Sequence, residues 1–159
     1  IICDYNYVFD PRVYLKRFFE VSKTDFTFLI DEAHNLVDRA RDMYSATLTQ
    51  EKFVQIRKLM SSKDKTLTSI IKEVEKTFKE KYESLNRLNE TYLVDNKLPM
   101  KLSEILKSFI KYTDEYLSRS TEDNKELLDL YFECRRYISI EDIYDENYTT
   151  ISRIFWNNY

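Results

Sequence analysis

Leu67, Ile70, Ile71, Val74, Phe78, Tyr82, Leu85 and Leu88 recur with a 3.6-residue period. They make one apolar stripe, unbroken over about six turns. A strand alternates with period two and cannot show this spacing. Such a helix must bury its stripe, and the chain carries matching faces for it. Thr49 can cap a helix bearing Phe53, Ile56 and Met60. A third face, entered after Pro99, holds Leu102, Ile105, Leu106, Phe109, Ile110, Tyr116 and Leu117. The fourth runs through Leu127, Leu130, Tyr131, Cys134 and Ile138, with Ser120 or Thr121 as its cap. Ser139-Ile140-Glu141-Asp142 has the form of a capping box for a further short helix. Amphipathic helices joined by short links close one bundle core more simply than they form a coiled-coil surface. The expected fold class is therefore mainly α: a helical bundle accompanied by a few strands and helices of another kind.

That other kind occupies the N-terminal part. Ile1 to Cys3 reads as a strand end. Asp10-Pro11 is a helix start continued by Val13 to Glu20, since Asp caps and Pro suits the first turn. Phe26-Thr27-Phe28-Leu29-Ile30 reads as a buried strand feeding a helix from Asn35 to Ser45. Between strand and helix stands Asp31-Glu32-Ala33-His34, a Walker B sequence of the DEAH type. A strand that enters a core delivers two carboxylates to a fixed point at its C-terminal edge. There Asp31 would hold Mg²⁺, Glu32 would position or deprotonate the water attacking a γ-phosphate, and His34 would report nucleotide state. The plainer alternative makes these residues a solvated helix start. A hydrolase using Asp31 and Glu32 as a self-sufficient acid/base pair is disfavoured, because adjacent strand residues point to opposite faces.

The chain contains no glycine. A Walker A loop needs glycines, because backbone amides cradle phosphates only where no Cβ intervenes and positive φ is free. Half an ATP site is therefore present, and the chain alone is expected not to hydrolyse ATP. Together with the absence of an initiator Met, this reads as an excised segment of a larger motor protein.

Tyr5-Asn6-Tyr7-Val8-Phe9-Asp10-Pro11 precedes the acidic box, which extends through Asn35-Leu36. This pairing of N-Y-x-x-D-P with D-E-A-H-N-L resembles the XPD-like and DinG-like branch of superfamily 2 DNA helicases. The specific part of the resemblance covers residues 1 to 45. It implies an ATP-dependent enzyme that couples hydrolysis to translocation on single-stranded DNA, with ATP and Mg²⁺ as cofactors. Asp31 would be the metal-binding residue, Asp31 and Glu32 the nucleotide-site carboxylates, and Glu32 with His34 the catalytic pair. Asn6 and Tyr7 are candidates for nucleic-acid contact. The family places a helical insertion, the Arch domain, after the DEAH box. By position, residues 48–147 correspond to it, residues 1–47 to a piece of the RecA-like motor lobe, and residues 148–159 to a strand returning to that lobe. The branch commonly carries an iron–sulfur cluster. Its cysteine set is absent here, so a cluster would belong to the parent and not to this segment. Partners implied are single-stranded DNA, through the parent, and the remaining helicase domains, with DNA repair as a field of action.

Net charge is −3, which is not the footprint of a dedicated nucleic-acid binder, but its distribution is uneven. Residues 52–81 carry +5, against −3 before them and −5 after. Lys52, Arg57, Lys58, Lys63, Lys65, Lys72, Lys76, Lys79 and Lys81 supply that block. It is either a phosphate-attracting path or the solvated face of two helices, with Glu73, Glu75 and Glu80 at pairing distance. Thirteen tyrosines and ten phenylalanines mostly fall on the apolar stripes; Tyr5, Tyr7, Tyr92, Tyr112 and Tyr144 do not, and stay open for DNA or partner contact. Cys3 and Cys134 read as reduced core thiols. No apolar run approaches a membrane span, and the expected compartment is cytoplasmic. The competing functional class is a helical protein–protein interaction module without catalysis. In either class the segments 1–3, 26–30 and 148–155 are expected to expose unpaired strand edges in this chain.

Overall fold

A computed structural model describes residues 2–20, 25–120 and 124–155. The protein is mainly α and divides into two compact units, Ile1–Ala46 and Thr47–Tyr159.

The second unit holds the bundle. Its helices are α4 (Gln50–Met60), α5 (Lys65–Leu88), α6 (Met100–Arg119) and α7 (Lys125–Glu141). Each packs on the next, and α4 also meets α7, so the four helices close a ring. Side-chain pairs fix their directions. Phe53 meets Phe78 while Arg57 meets Glu75, so α4 and α5 run antiparallel. Asp64 meets Tyr112 while Glu80 meets Lys101, which sets α5 against α6. Lys107 meets Glu141 while Asp114 meets Tyr131, which sets α6 against α7. The result is an up-down-up-down four-helix arrangement.

Its core is built from the stripes. Phe53, Ile56 and Met60 of α4, Leu67, Ile71 and Val74 of α5, Leu106 and Phe109 of α6, and Leu127, Leu130 and Cys134 of α7 form one buried cluster. Phe53 and Phe109 meet edge to face with ring centroids 6.1 Å apart. The α5 stripe does not stay buried along its whole length: Tyr82 and Leu88 are exposed, Leu88 by 59%. At 1.5 Å per residue α5 is roughly 36 Å long and α4 roughly 16 Å, so the last turns of α5 outrun that neighbour.

Helix ends follow local chemistry. Asp64 caps α5 by accepting the Leu67 N–H at 2.8 Å. At the other end Asn89 takes the left-handed conformation, φ 54°. The Asn89 N–H then donates to the Asn86 carbonyl and the Glu90 N–H to the Leu85 carbonyl, which is a Schellman closure. Asparagine fills a position usually given to glycine in a chain that has none.

Several expectations are corrected here. Thr49 occupies the cap position of α4 but makes no side-chain cap bond. The cap position of α7 is Asn124; Ser120 instead ends α6, and Thr121 lies outside the described residues. No new helix starts at Ser139. Its hydroxyl donates to the Arg135 carbonyl one turn back, at 2.9 Å, and α7 passes through unbroken. Of residues 148–155 only Thr150–Arg153 form a strand, β2, and it pairs antiparallel with β1 (Tyr92–Asp95) inside the second unit. The sequence reading missed β1. Cys134 is buried as expected, and burial pushes its thiol well above the ordinary range. Cys3 is exposed. Among the described residues no helix is long and apolar enough to cross a membrane.

Candidate functional site

The first unit carries the acidic box. It contains two short helices, α1 (Asn6–Phe9) and α2 (Lys16–Phe19), a 3-10 turn (Ala33–Asn35) and α3 (Leu36–Met43). The helix start expected at Asp10-Pro11 is displaced. Asp10 instead closes α1, and helix resumes only at Lys16. The reason lies in the Asp10 carboxylate, which turns toward Arg12 rather than capping a following helix. Its Oδ1 accepts from the Arg12 backbone N–H and from Arg12 Nε, each at 2.9 Å, and Oδ2 accepts from the guanidinium at 2.5 Å. This bidentate pair raises the Arg12 pKa, the hydrogen bond to Asp10 being the main cause. Asp10 is one of the few buried residues of the unit. Two further bonds hold the segment: the Leu15 N–H donates to the Tyr7 carbonyl at 2.9 Å, and the Tyr44 hydroxyl donates to the Phe9 carbonyl at 3.0 Å. The second ties α3 to α1.

Residues 25–30 enter the acidic box without regular secondary structure, and Ile2 and Cys3 likewise form no strand, while Ile1 lies outside the described residues. The buried strand expected at Phe26–Ile30 is thus not formed. All its residues are exposed, Leu29 by 97%. A strand needs a neighbouring ladder, and the described residues of this unit contain no strand to supply one. Phe26 and Phe28 pack their rings with Phe19 instead, at centroid distances of 5.3 and 5.9 Å.

Asp31 and Glu32 form the turn itself. Glu32 adopts φ 52°, ψ 35°, the left-handed region that costs a non-glycine residue roughly 1–2 kcal/mol. Asp31 Oδ1 accepts the Glu32 backbone N–H at 2.9 Å, and the Glu32 carbonyl accepts the Asn35 N–H at 2.9 Å. Glu32 Oε2 lies 3.4 Å from His34 Nδ1, both side chains being largely in solvent. The structure therefore brings Glu32 and His34 together and sets Asp31 beside them. Asn6 and Tyr7 open α1, with the Asn6 N–H donating to Asp4 Oδ1 at 2.8 Å. Among the described residues, no hydrogen bond or ion pair joins Asn6 or Tyr7 to the acidic turn.

Chemically, the turn presents two exposed carboxylates and an imidazole. Mg²⁺ in phosphate chemistry is held by one or two carboxylates, several waters and the phosphates themselves. An exposed Asp31, with no partner for Oδ2 among the described residues, fits that demand. No group of three or more potential ligand side chains forms a closed metal cage among the described residues. The phosphate cradle is absent from the sequence, as the lack of glycine requires. The Asp10–Arg12 clamp was missed from sequence; an Asp followed two residues later by Arg in a turn was its signal.

Residues 1–53 match the DEAD_2 protein-family model, which supports reading this stretch as a fragment of a helicase-family domain. No curated protein and no solved structure matches the chain.

Proposed function

We propose that this chain is part of an ATP-dependent DNA helicase of the XPD-like and DinG-like type. In that protein it supplies the DEAH box and an Arch-like helical domain. The observation that carries this reading is the Asp31–His34 turn, placed between an apolar run and α3 within the DEAD_2 match. In the assembled motor, Asp31 would hold Mg²⁺ with ATP bound, Glu32 would orient the attacking water and His34 would pass the nucleotide state onward. The metal would neutralise charge on the phosphates. The exposed run at residues 26–30 supports the same reading, because five consecutive residues with so much apolar surface fit a central strand between neighbours supplied by the rest of the motor lobe. Residues 48–147 then act as the Arch, guiding single-stranded DNA, and Asn6 and Tyr7 sit in the segment that faces it. A cytoplasmic location and a repair role belong to this proposal. Any iron–sulfur cluster would lie in other parts of the parent.

A second reading, a helical interaction module, is favoured by one feature. Tyr92, Val94 and Ile151 expose one face of the β1–β2 ladder, with Phe155 exposed just beyond it. Duplex unwinding by the full-length parent separates the two readings. The helicase reading expects ATP-dependent strand separation that Asp31→Asn abolishes. Unwinding by neither protein, with ATP binding intact, favours the interaction module.

A further inference from the structure

The elbow between α4 and α5 holds an open depression of about 360 Å³ lined by Arg57, Ser61, Lys65, Thr68, Ser69 and Lys72. Its walls are not a random sample of two solvated helices. Lys65, Thr68, Ser69 and Lys72 fall at i, i+3, i+4 and i+7 of α5, one continuous face beginning at the first helical residue. Arg57 in the last turn of α4 and Ser61 at its C-terminal cap line the opposite side. Three cations and three hydroxyls thus converge on one space, and no carboxylate lines it.

One of the three charges is paired, and among the described residues the two lysines are not. Arg57 Nε donates to Glu75 Oε1 at 2.7 Å, which fixes the guanidinium plane through one edge. Lys65 and Lys72 have no carboxylate partner among the described residues, whereas Lys52, Lys101 and Lys107 each do. Beside Lys65, Asp64 spends its carboxylate on the Leu67 N–H and the Tyr112 hydroxyl; beyond Lys72, Glu73 makes no ion pair with it among the described residues, and Glu75 is taken by Arg57. Ser61 and Thr68 give their hydroxyl protons to the Lys58 and Asp64 carbonyls. Ser69 has no partner among the described residues and keeps its proton for a ligand. Like charges gathered in a concavity repel one another unless an anion joins them.

We infer that this elbow is a binding site for a phosphate group, with Lys65 and Lys72 as the charge contacts, Arg57 as the pre-oriented fork and Ser69 as a hydroxyl donor. A phosphate's tetrahedral oxygens suit a fork, two point charges and a hydroxyl approaching from two walls. The source of the phosphate is either the backbone of single-stranded nucleic acid or a free phosphate compound. The inference uses neither Asp31 nor Glu32, so it stands or falls apart from the motor reading.

The test uses the whole 159-residue chain and two probes: fluorescein-labelled dT20 followed by anisotropy, and inorganic phosphate followed by amide chemical shifts. Lys65→Glu/Lys72→Glu is compared with Lys97→Glu/Lys111→Glu, which makes the same change of charge on exposed lysines elsewhere. Folding of both is checked by circular dichroism. For the backbone source, the elbow variant weakens dT20 binding at least tenfold while the control changes it less than threefold. The slope of log K against log salt then falls by about 1.4, two single-strand contacts' worth. For the free source, inorganic phosphate shifts the Lys65 to Lys72 amides in the wild type and control but not in the elbow variant, and dT20 does not bind. Equal weakening by both variants would overturn the inference, since only diffuse charge would then be at work. Absence of binding to both probes would overturn it as well.

Discussion

At the start of α5 the Asp64 carboxylate accepts from the Leu67 amide and the Tyr112 hydroxyl together, joining a helix cap to a bond between helices. Asp64→Ala is expected to cost about 1–2 kcal/mol, since it removes the cap and leaves a part-buried hydroxyl unpaired. Thr49→Ala, at a cap position that makes no such bond, should change stability by less than about 0.5 kcal/mol. Urea unfolding of the two variants checks the contrast, and equal losses would contradict it. Asn89, held at φ 54°, gives a second residue-scale result. Asn89→Gly should stabilise slightly, because it removes the Cβ that opposes the left-handed turn, and Asn89→Ala should destabilise by about 1 kcal/mol, because it keeps the Cβ and loses the polar side chain that tolerates the turn. Alkaline stability depends on Tyr137, whose hydroxyl burial and the nearby Glu141 push up to about 12 from 10.0. The folded state holds this proton more tightly than the unfolded state. Stability is therefore fully present below about pH 10 and is lost as pH rises toward 12. Tyr137→Phe should flatten that part of the pH–stability curve, and an unchanged slope would refute the assignment.

Helices in this chain were legible because their apolar faces repeat with a period that only a helix uses, and α4 to α7 lie where the stripes place them. Helix ends were less legible. Ser139 looked like a start because serine favours caps, yet its hydroxyl satisfied itself on the Arg135 carbonyl and the helix continued. The strand β1 was hidden for a different reason. Four residues gain a ladder only from Thr150–Arg153, far along the chain, and no local pattern announces that pairing. The run at residues 26–30 shows the converse, a strand-like composition without a ladder. At the acidic box the residue types were legible from spacing, but the positive φ at Glu32 and the Asp10–Arg12 clamp were not, since both arise from backbone closure. Within α5, amides from Leu67 to Phe78 should resist hydrogen exchange longer than those from Tyr82 to Leu88, where only Leu85 of the stripe stays buried and Tyr82 and Leu88 face solvent. Uniform protection along α5 would contradict this account of its length.

Across the whole molecule the bundle and the N-terminal unit differ in what holds them. The bundle has a contiguous core, and Phe53→Ala should cost about 3–5 kcal/mol by opening a cavity beside Phe78 and Phe109. Leu29→Ala, at a solvent-facing position, should be nearly silent in this chain. If the run at residues 26–30 is a central motor strand, the same substitution should become costly in the full-length parent, where neighbours cover it. The central claim is that the exposed acidic turn works as a Walker B once the rest of a motor surrounds it. Its most direct test is the single-stranded-DNA-stimulated ATPase of the full-length parent, wild type against Glu32→Gln. The account predicts stimulation of the wild type and a fall of several orders of magnitude in the variant, with ATP binding retained. Equal rates in the two proteins, both folded, would contradict it.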